Sequence, residues 1–198
     1  MKPRLLLHIC CAPDEAWVVH ALHAEYDLHC FFCNPNISPP EEYALRRSEA
    51  AKVARRYDVP FSSDEYTPAL WESTVHPYRN TPEGGERCRH CFALRLSRSA
   101  AACAALGIPS FTTVMSISPH KRIAMLDEEG ACAARRAGVK YLPFNFKKND
   151  GFGKSIILSN ELGLYRQDYC GCMLSRNERD ERIRRRQFMT DDRQHGQR

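Results

Sequence analysis

Residues 4–14 read RLLLHICCAPD, the most informative segment of the chain. Arg4–Ile9 is an apolar run of strand length, which predicts a buried first strand. Cys10 and Cys11 follow this strand directly, and a helix is predicted over 14–26. In an open parallel sheet, ligands bind beyond the carboxyl ends of the strands. The first strand therefore brings two thiols to the edge where such a fold places its site.

The rest of the chain alternates between strand and helix patterns. Strands alternating with helices indicate a parallel sheet that is covered on both faces. We therefore expect an α/β fold, a single domain over 1–188 with a mostly parallel sheet of about five strands and a basic C-terminal helix. The polar residues 189–198 are expected to be a disordered tail. Further strands are predicted at 28–33, 59–62, 110–115 and 140–144.

The composition excludes several classes of protein. With 43% hydrophobic and 27% charged residues, the chain of 198 residues is typical of a soluble globular domain. Its apolar runs are too short for a transmembrane helix, and its N-terminus lacks the pattern of a signal peptide. We expect a cytoplasmic protein with no membrane partner. The net charge of +5 favours a polyanionic partner only slightly.

Ten cysteines in a chain without an export signal point to metal or redox chemistry, not to disulfides. Six of them form three close pairs, one of which is a C-x-x-C at the start of a predicted helix. A structural zinc closes at four ligands, whereas this set offers six thiolates and a nearby carboxylate. That excess favours a four-cysteine iron–sulfur cluster beside a second metal. The predicted metal ligands are Cys10, Cys11, Asp14, Cys88, Cys91, Cys170 and Cys172.

Other cysteines and Asp14 have simpler interpretations. At the start of a helix, Asp14 has the alternative role of N-cap. Cys103 and Cys132 are predicted to be small buried hydrophobes. Cys30 and Cys33 form a second C-x-x-C, but within a strand that spacing points the side chains to opposite faces, so both are assigned to the core.

Candidate substrate-binding residues flank the cysteines. Lys121 follows the fourth predicted strand and could contact a phosphate, although a solvated lysine is the simpler reading. Tyr165, Arg166 and Gln167 precede the last cysteine pair, where aromatic and cationic side chains suit RNA as well as a packed loop. His8, in the first strand, is a weak candidate proton donor. The arginine-rich stretch 176–186 suits either a phosphate-binding stripe or a solvated helix face. Its arginines are Arg176, Arg179, Arg182, Arg184, Arg185 and Arg186.

Five separated segments resemble one known family. In order, they are similar to the cobalamin-independent epoxyqueuosine reductase family, QueH, over roughly residues 4–180. The resemblance implies a fold similar to the PP-loop, adenine-nucleotide hydrolase-like superfamily. The segments are LLLHICCAPD (5–14), FFCNPNISPPEEYALR (31–46), PEGGERCRHC (82–91), SISPHK (116–121) and ELGLYRQDYCGC (161–172).

The resemblance implies an oxidoreductase of queuosine biosynthesis. Such enzymes reduce the epoxide of epoxyqueuosine in the tRNA anticodon loop to the alkene of queuosine. The implied cofactors are a 4Fe–4S cluster and an adjacent mononuclear iron, with an external electron donor and tRNA as partners. Carried over by position, the resemblance marks the three cysteine pairs. Many members read CCAPC where this chain reads CCAPD, so Asp14 is a departure that favours a carboxylate ligand for the second metal.

Two alternatives from other classes remain at this point. One is a non-catalytic, metal-stabilised RNA-binding module. The other is an ATP-dependent tRNA-modifying enzyme of the PP-loop type that uses its cysteines as sulfur carriers. The second alternative lacks its phosphate cradle, because neither an S-G-G-x-D-S loop after the first strand nor a Walker loop occurs in the sequence.

Overall fold

A parallel β-sheet forms the centre of the molecule. The structure is a computed structural model that describes residues 1–195, with side chains through Phe188. The strands are β1 (Arg4–Ile9), β2 (Asp27–Phe32), β3 (Phe61–Ser63), β4 (Ser110–Thr113) and β5 (Lys140–Tyr141). Their order across the sheet is β3-β2-β1-β4-β5, and all four pairings are parallel. The predicted five-stranded parallel sheet is confirmed.

Helices connect the strands and cover the sheet. Three short 3₁₀ turns interrupt the connections at His76–Tyr78, Val114–Ile117 and Lys148–Asp150. The α-helices of residues 1–195 are α1 (Ala12–Leu22), α2 (Pro40–Arg56), α3 (Pro68–Val75), α4 (Glu86–Ala105), α5 (Ile123–Ala137), α6 (Gly151–Glu161) and α7 (Met173–His195).

The central strand β1 is buried on both faces. Each residue from Leu5 to Ile9 has no exposed surface. Leu7 and Ile9 pack in one apolar core, whereas Leu6 packs in a second core on the opposite face. A strand covered on both sides needs a nearly continuous apolar sequence, which explains the run in this segment. Each buried leucine contributes about 2 kcal/mol to folding.

The strand order creates a switch point beside β1. The chain passes from β1 to β2 and β3 on one side, and then crosses to β4 and β5 on the other side. Connections leave the carboxyl ends of β1 and β4 in opposite directions, so a crevice opens between them. Cys10 and Cys11 follow β1, and Val114–Ile117 follows β4. The sheet therefore places the first cysteine pair at the switch point, as its position in the sequence predicts.

Several helix boundaries differ from the predictions. The N-cap of α1 is Cys11, so Asp14 lies in the first turn of the helix and its alternative role as the cap is wrong. Ser118 and Pro119 are residue types that favour a helix start, but α5 begins later, at Ile123. There, the backbone N–H of Lys121 bonds to the carbonyl of Ser118 in a turn that precedes the helix. This loop lies over the crevice.

The C-terminal region is more helical than predicted. Residues 189–195, which were assigned to a disordered tail, continue the backbone of α7 as helix through His195. No proline or glycine interrupts this stretch, so nothing in it breaks the helix. The last three residues of the predicted tail lie outside the described residues.

None of the helices described over residues 1–195 is both long and apolar enough to cross a lipid bilayer.

Gly151, the first residue of α6, packs closely against the segment that follows β5. A Cβ at this position would fall on the backbone carbonyl oxygen of Phe146. We expect Gly151→Ala to lower the free energy of unfolding by about 1–3 kcal/mol, because a backbone atom cannot move aside as a side chain can. Urea unfolding measures this loss. Glu161→Ala, exposed at the other end of α6, is the control and should change stability by less than about 0.5 kcal/mol.

Candidate functional site

A cavity of about 670 Å³ opens at the carboxyl ends of β1 and β4. Its walls come from the start of α1, the loop before α5, the loop 166–170 and the buried faces of α2 and α4. Most of the residues that the sequence singled out meet here. Those lining the cavity are Cys10, Cys11, Asp14, Lys121, Arg166, Gln167, Cys170 and Arg182, whereas Cys88, Cys91 and Cys172 lie outside its lining.

The first ligand group lies on the turn between β1 and α1. The Sγ atoms of Cys10 and Cys11 are 3.7 Å apart, and Oδ2 of Asp14 lies 3.5 Å from the Cys10 sulfur. One ligand atom from each of the three residues lies within 4.8 Å of the others, as a shared metal ion requires. The hydrogen bond with Cys11, together with burial, raises the pKa of Cys10 well above its ordinary value. Burial likewise raises the pKa of Asp14.

The second ligand group lies where α4 meets the loop before α7. Cys88 and Cys91 face inward from the first two turns of α4, and Cys172 packs with Cys91 against Trp71 of α3. The backbone N–H of Gly84 donates to the Cys88 sulfur at 3.2 Å. Cys91 and Cys172, which are distant in sequence, thus lie in one buried cluster.

The loop around Gly171 is held tightly against α2. Gly171 has φ +131°, and a Cβ there would approach Ile37 to 2.9 Å, so only glycine fits. Its carbonyl accepts from the N–H of Ser38 at 2.9 Å. Arg46, which is 2% exposed, donates to the carbonyl of Cys170 at 3.2 Å and pairs with Glu42 at 2.7 Å. These bonds fix the orientation of the last two cysteines.

Lys121 lies against the cysteines rather than in solvent. Its Nζ donates to the sulfur of Cys170 at 2.9 Å and to Oε1 of Glu83 at 3.2 Å. Burial disfavours the charged amine, but the negative charges of Cys170 and Glu83 outweigh that effect and raise its pKa. Lys121 is therefore a firmly protonated cation in the wall of the cavity, and the reading as a freely solvated lysine is wrong.

The electrostatics of the second ligand group fit a bound cation. Burial, opposed by the charge of Arg95 and reinforced by that of Cys170, raises the pKa of Cys91 to about 11. Burial and Cys170 likewise raise the pKa of Cys172. Thiolates that repel one another in this way are stabilised by a positive metal centre. The buried indole N–H of Trp71 faces the sulfur of Cys91, and this interaction opposes the rise in the pKa of the thiol.

Arg95 is a functional candidate that the sequence analysis missed. It lines the cavity from α4, is 2% exposed, and donates to the carbonyl of Cys33 at 3.2 Å and to Oδ1 of Asn34 at 2.5 Å. Its strongest electrostatic partners are thiols, Cys91 first and then Cys10. The spacing Cys88, Cys91 and Arg95 places all three on one face of a helix, and this signal was available in the sequence.

The predicted substrate-binding residues separate into two sets. Arg166 and Gln167 line the cavity, and the Arg166 guanidinium donates to Oγ of Ser159 at 2.8 Å. Tyr165 does not line it. The Tyr165 hydroxyl bonds to Glu42 at 3.1 Å, and its backbone N–H bonds to Glu49 at 3.0 Å, so this tyrosine braces the loop against α2.

His8 does not fit the role of proton donor. Its ring is fully buried, with Nδ1 2.8 Å from Oγ1 of Thr113 and Nε2 3.1 Å from the carbonyl oxygen of Cys33. Burial, reinforced by the charge of Arg95, lowers the pKa of His8 to about 3. The imidazole is therefore neutral near pH 7, and both of its nitrogens are used within the sheet.

The remaining cysteines agree with the sequence analysis except at one position. Cys30 and Cys33 are fully buried and belong to different cores on opposite faces of the sheet, as predicted. Cys103 is also fully buried. Cys132 was predicted to be buried but is only partly so, because it lies on the side of α5 that reaches solvent.

Comparison with known proteins gives one family. The model of the family described as "Epoxyqueuosine reductase QueH" matches residues 5–178. The chain belongs to this QueH family. The QueH protein of Thermotoga maritima is 37% identical over 182 residues, which cover 90% of this chain and 93% of that one. The QueH protein of Streptococcus pyogenes is 34% identical, with 87% and 70% covered.

Solved structures support the fold class. The U34-tRNA thiolase NcsA of Methanococcus maripaludis, solved with its [4Fe-4S] cluster, superposes with a TM-score of 0.54 at 12% identity, covering 91% of this chain and 65% of that one. A predicted tRNA methyltransferase subunit of Methanocaldococcus jannaschii gives 0.53 at 13% identity, covering 78% and 74%. The expected α/β fold with a parallel sheet is confirmed for this QueH family member.

The buried hydrogen bonds of Arg95 are expected to stabilise the fold around the site. Arg95→Met leaves Oδ1 of the buried Asn34 without its donor, so we expect a loss of about 1–3 kcal/mol in the free energy of unfolding. Urea unfolding of the metal-free protein measures it. Arg135→Met, an exposed arginine on α5, is the matched control. Equal stability of the two variants would mean that the buried hydrogen bonds of Arg95 contribute nothing.

Proposed function

We propose that this QueH family member is an epoxyqueuosine reductase that acts on the anticodon loop of tRNA. One observation supports the proposal above all others. Cys10, Cys11 and Cys170 line one cavity, and Cys88 and Cys91 interact electrostatically with Cys170. The cavity wall also carries four cations: Arg46 and Arg95 are buried, Lys121 is partly buried, and Arg166 is exposed. Such a site suits electron transfer to a substrate that carries or develops negative charge.

The reaction sets the requirements of the site. Converting an epoxide to an alkene breaks two C–O bonds, consumes two electrons and two protons, and releases the oxygen as water. When bound, a 4Fe–4S cluster supplies electrons one at a time, and an adjacent iron supplies a Lewis acid. An external reductant must therefore donate electrons to the protein, and the protons enter from solvent or from a side chain in the cavity.

The ligands divide between the two groups. Cys88, Cys91, Cys170 and Cys172 act electrostatically on one another, and together they supply the four thiolates of a 4Fe–4S cluster. Cys10, Cys11 and Asp14 form the separate group with converging ligand atoms, and they would hold the adjacent mononuclear iron. A carboxylate among thiolates suits iron, which accepts both kinds of ligand.

The cavity wall would orient the substrate. The Lys121 ammonium and the Arg166 guanidinium supply fixed positive charge where the epoxide oxygen becomes negative. Gln167 lines the cavity, and its buried Oε1 has no partner among the described residues, so it is suited to accept a hydrogen bond from the modified base. An unpaired loop lets that base leave its stack at low energetic cost.

The basic helix α7 is the proposed tRNA-binding surface. Arg182 lines the cavity, and Arg184 and Arg185 are exposed further along the helix. Arg179 has a structural role, because it pairs with Asp168 and lies 5.6 Å over the ring of Tyr169.

All ten cysteines are free, which favours a reducing compartment and therefore the cytoplasm.

The metal proposal predicts a specific pattern of iron loss. Cys88→Ala should lose the visible absorbance of the cluster and part of its stability together, because ligation and folding are coupled. Asp14→Ala should keep that absorbance and lose roughly one iron per chain. Anaerobic purification followed by iron counting and spectroscopy measures both changes.

Cys103→Ala is the matched control, since this buried cysteine lies far from both ligand groups along α4. It should keep all of its iron. A colourless protein that binds only zinc would instead favour the non-catalytic RNA-binding module. Full iron content in Cys88→Ala would remove that residue from the cluster.

The tRNA proposal predicts a salt-dependent surface on α7. Replacing Arg184, Arg185 and Arg186 with alanine should weaken binding of an anticodon stem-loop RNA, because fewer counterions are released. The slope of log affinity against log salt should flatten by about 0.7–0.9 for each lost phosphate contact. The control replaces Arg55, Arg56 and Arg135. These exposed arginines lie in the last turns of α2 and α5, which end at the edge of the sheet opposite to the first cavity. Equal slopes in the two triple variants would contradict the assignment.

A further inference from the structure

A second cavity of about 480 Å³ lies between α1 and the segment that follows β5. It has no role in the reaction proposed above. Its walls combine aromatic rings with amine and amide side chains, and we call it the aromatic–lysine groove. The residues that define the groove are Trp17, Phe144, Asn145, Phe146, Lys148 and Lys154.

The aromatic side of the groove has the form of a stacking surface. The rings of Phe144 and Phe146 lie 5.3 Å apart and only 21° from parallel. Both rings and the Trp17 indole are partly buried against the core, and they also line the groove. The Lys154 ammonium lies 5.2 Å over the Trp17 ring. Flat rings with a cation beside them are the features on which unpaired bases stack.

The charge of the groove favours a polyanion. Lys148 and Lys154 are exposed at its rim. The stretch 147–154 contains three lysines and one aspartate. That aspartate, Asp150, lies against Gly153 at the start of α6. A neutral apolar ligand would gain nothing from the exposed lysines, whereas a nucleotide uses both the rings and the ammonium groups.

The groove is a direct neighbour of the first cavity. Trp17 follows Asp14 by three residues, roughly 4.5 Å along the axis of α1, and Asp14 lines the first cavity. Lys147 Nζ donates to the carbonyl of Lys121 at 2.6 Å, and Phe152 also lines the first cavity. The same segment of chain therefore borders both cavities.

We propose that the aromatic–lysine groove binds an unpaired nucleotide of the RNA, one that flanks the modified base held in the first cavity. Its base stacks on the aromatic side, and its phosphates contact Lys148 and Lys154. This inference rests on the proposed function, because it takes an RNA loop as the substrate. It adds a second point of attachment, by which the protein distinguishes an RNA from a free modified nucleoside.

The test uses the chain of 198 residues and an anticodon stem-loop RNA. Lys148→Ala combined with Lys154→Ala should weaken binding roughly tenfold and flatten its salt dependence. Lys2→Ala combined with Lys140→Ala, exposed lysines near the amino ends of the strands, is the matched control and should bind as the wild type does. Trp17→Ala should also weaken binding roughly tenfold, whereas Trp17→Phe should retain most of the affinity, because a phenyl ring still stacks.

Tryptophan fluorescence gives an independent measurement. The chain has two tryptophans, and Trp71 is buried beside Cys91. RNA binding should quench the emission of the wild type, and Trp17→Phe should abolish that quenching while binding persists. Urea unfolding identifies any variant that fails to fold. If Trp17→Ala does not fold, the double variant of the exposed Lys148 and Lys154 still tests the proposal.

The outcomes separate this inference from the proposed function. If the RNA binds the wild type and the groove variants equally well, the groove is not a nucleotide site and the proposed function stands. If the wild type binds no stem-loop RNA, both the RNA substrate and the groove proposal are wrong. If adenosine monophosphate alone binds the groove as tightly as the RNA does, the groove takes a free nucleotide and the proposal is overturned.

Discussion

The burial of Arg95 constrains the whole functional end of the molecule. Its guanidinium donates to the carbonyl of Cys33 and to the side chain of Asn34, and the Asn34 amide donates to the carbonyl of Ile9 at 2.8 Å. One side chain of α4 thus joins the carboxyl ends of β1 and β2. Because Cys10 follows Ile9 directly, and Cys88 and Cys91 precede Arg95 on the same helix, these bonds also set the spacing of the two ligand groups.

Three buried cations give the site its chemical character. Arg46, Arg95 and Lys121 are nearly excluded from water, and burying a charge is unfavourable unless negative partners surround it. Glu42 compensates the charge of Arg46, and Glu83 compensates the charge of Lys121. The charge of Arg95 acts mainly on cysteines. The negative partner of Arg95 is therefore the group of thiols around it, which carry negative charge when they bind a metal.

The sequence predicted the parts of the fold that depend on local pattern. The apolar run of β1 and the alternation of elements are local features, and the parallel sheet agrees with them. The cysteine pairs are local features too, and three of their members, Cys10, Cys11 and Cys170, line one cavity. Features that depend on contacts between distant segments were missed. The sequence predicts that Tyr165 contacts a ligand, but its hydroxyl bonds to Glu42 and its backbone N–H bonds to Glu49. Likewise, nothing near Trp71 in the sequence indicates that it packs against Cys91 and Cys172.

The distribution of the cysteines along the chain has a consequence for biogenesis. The six paired thiols span residues 10 to 172, and the loop around Gly171 closes the site only after it docks on α2 through Ser38 and Arg46. During synthesis, a nascent chain still lacking that loop carries only four of these thiols. All six thiols can come together only after Cys172 has been synthesised. Under the proposed function, a cluster that needs Cys170 and Cys172 is therefore completed only after α2 and α4 have formed the surface on which that loop docks.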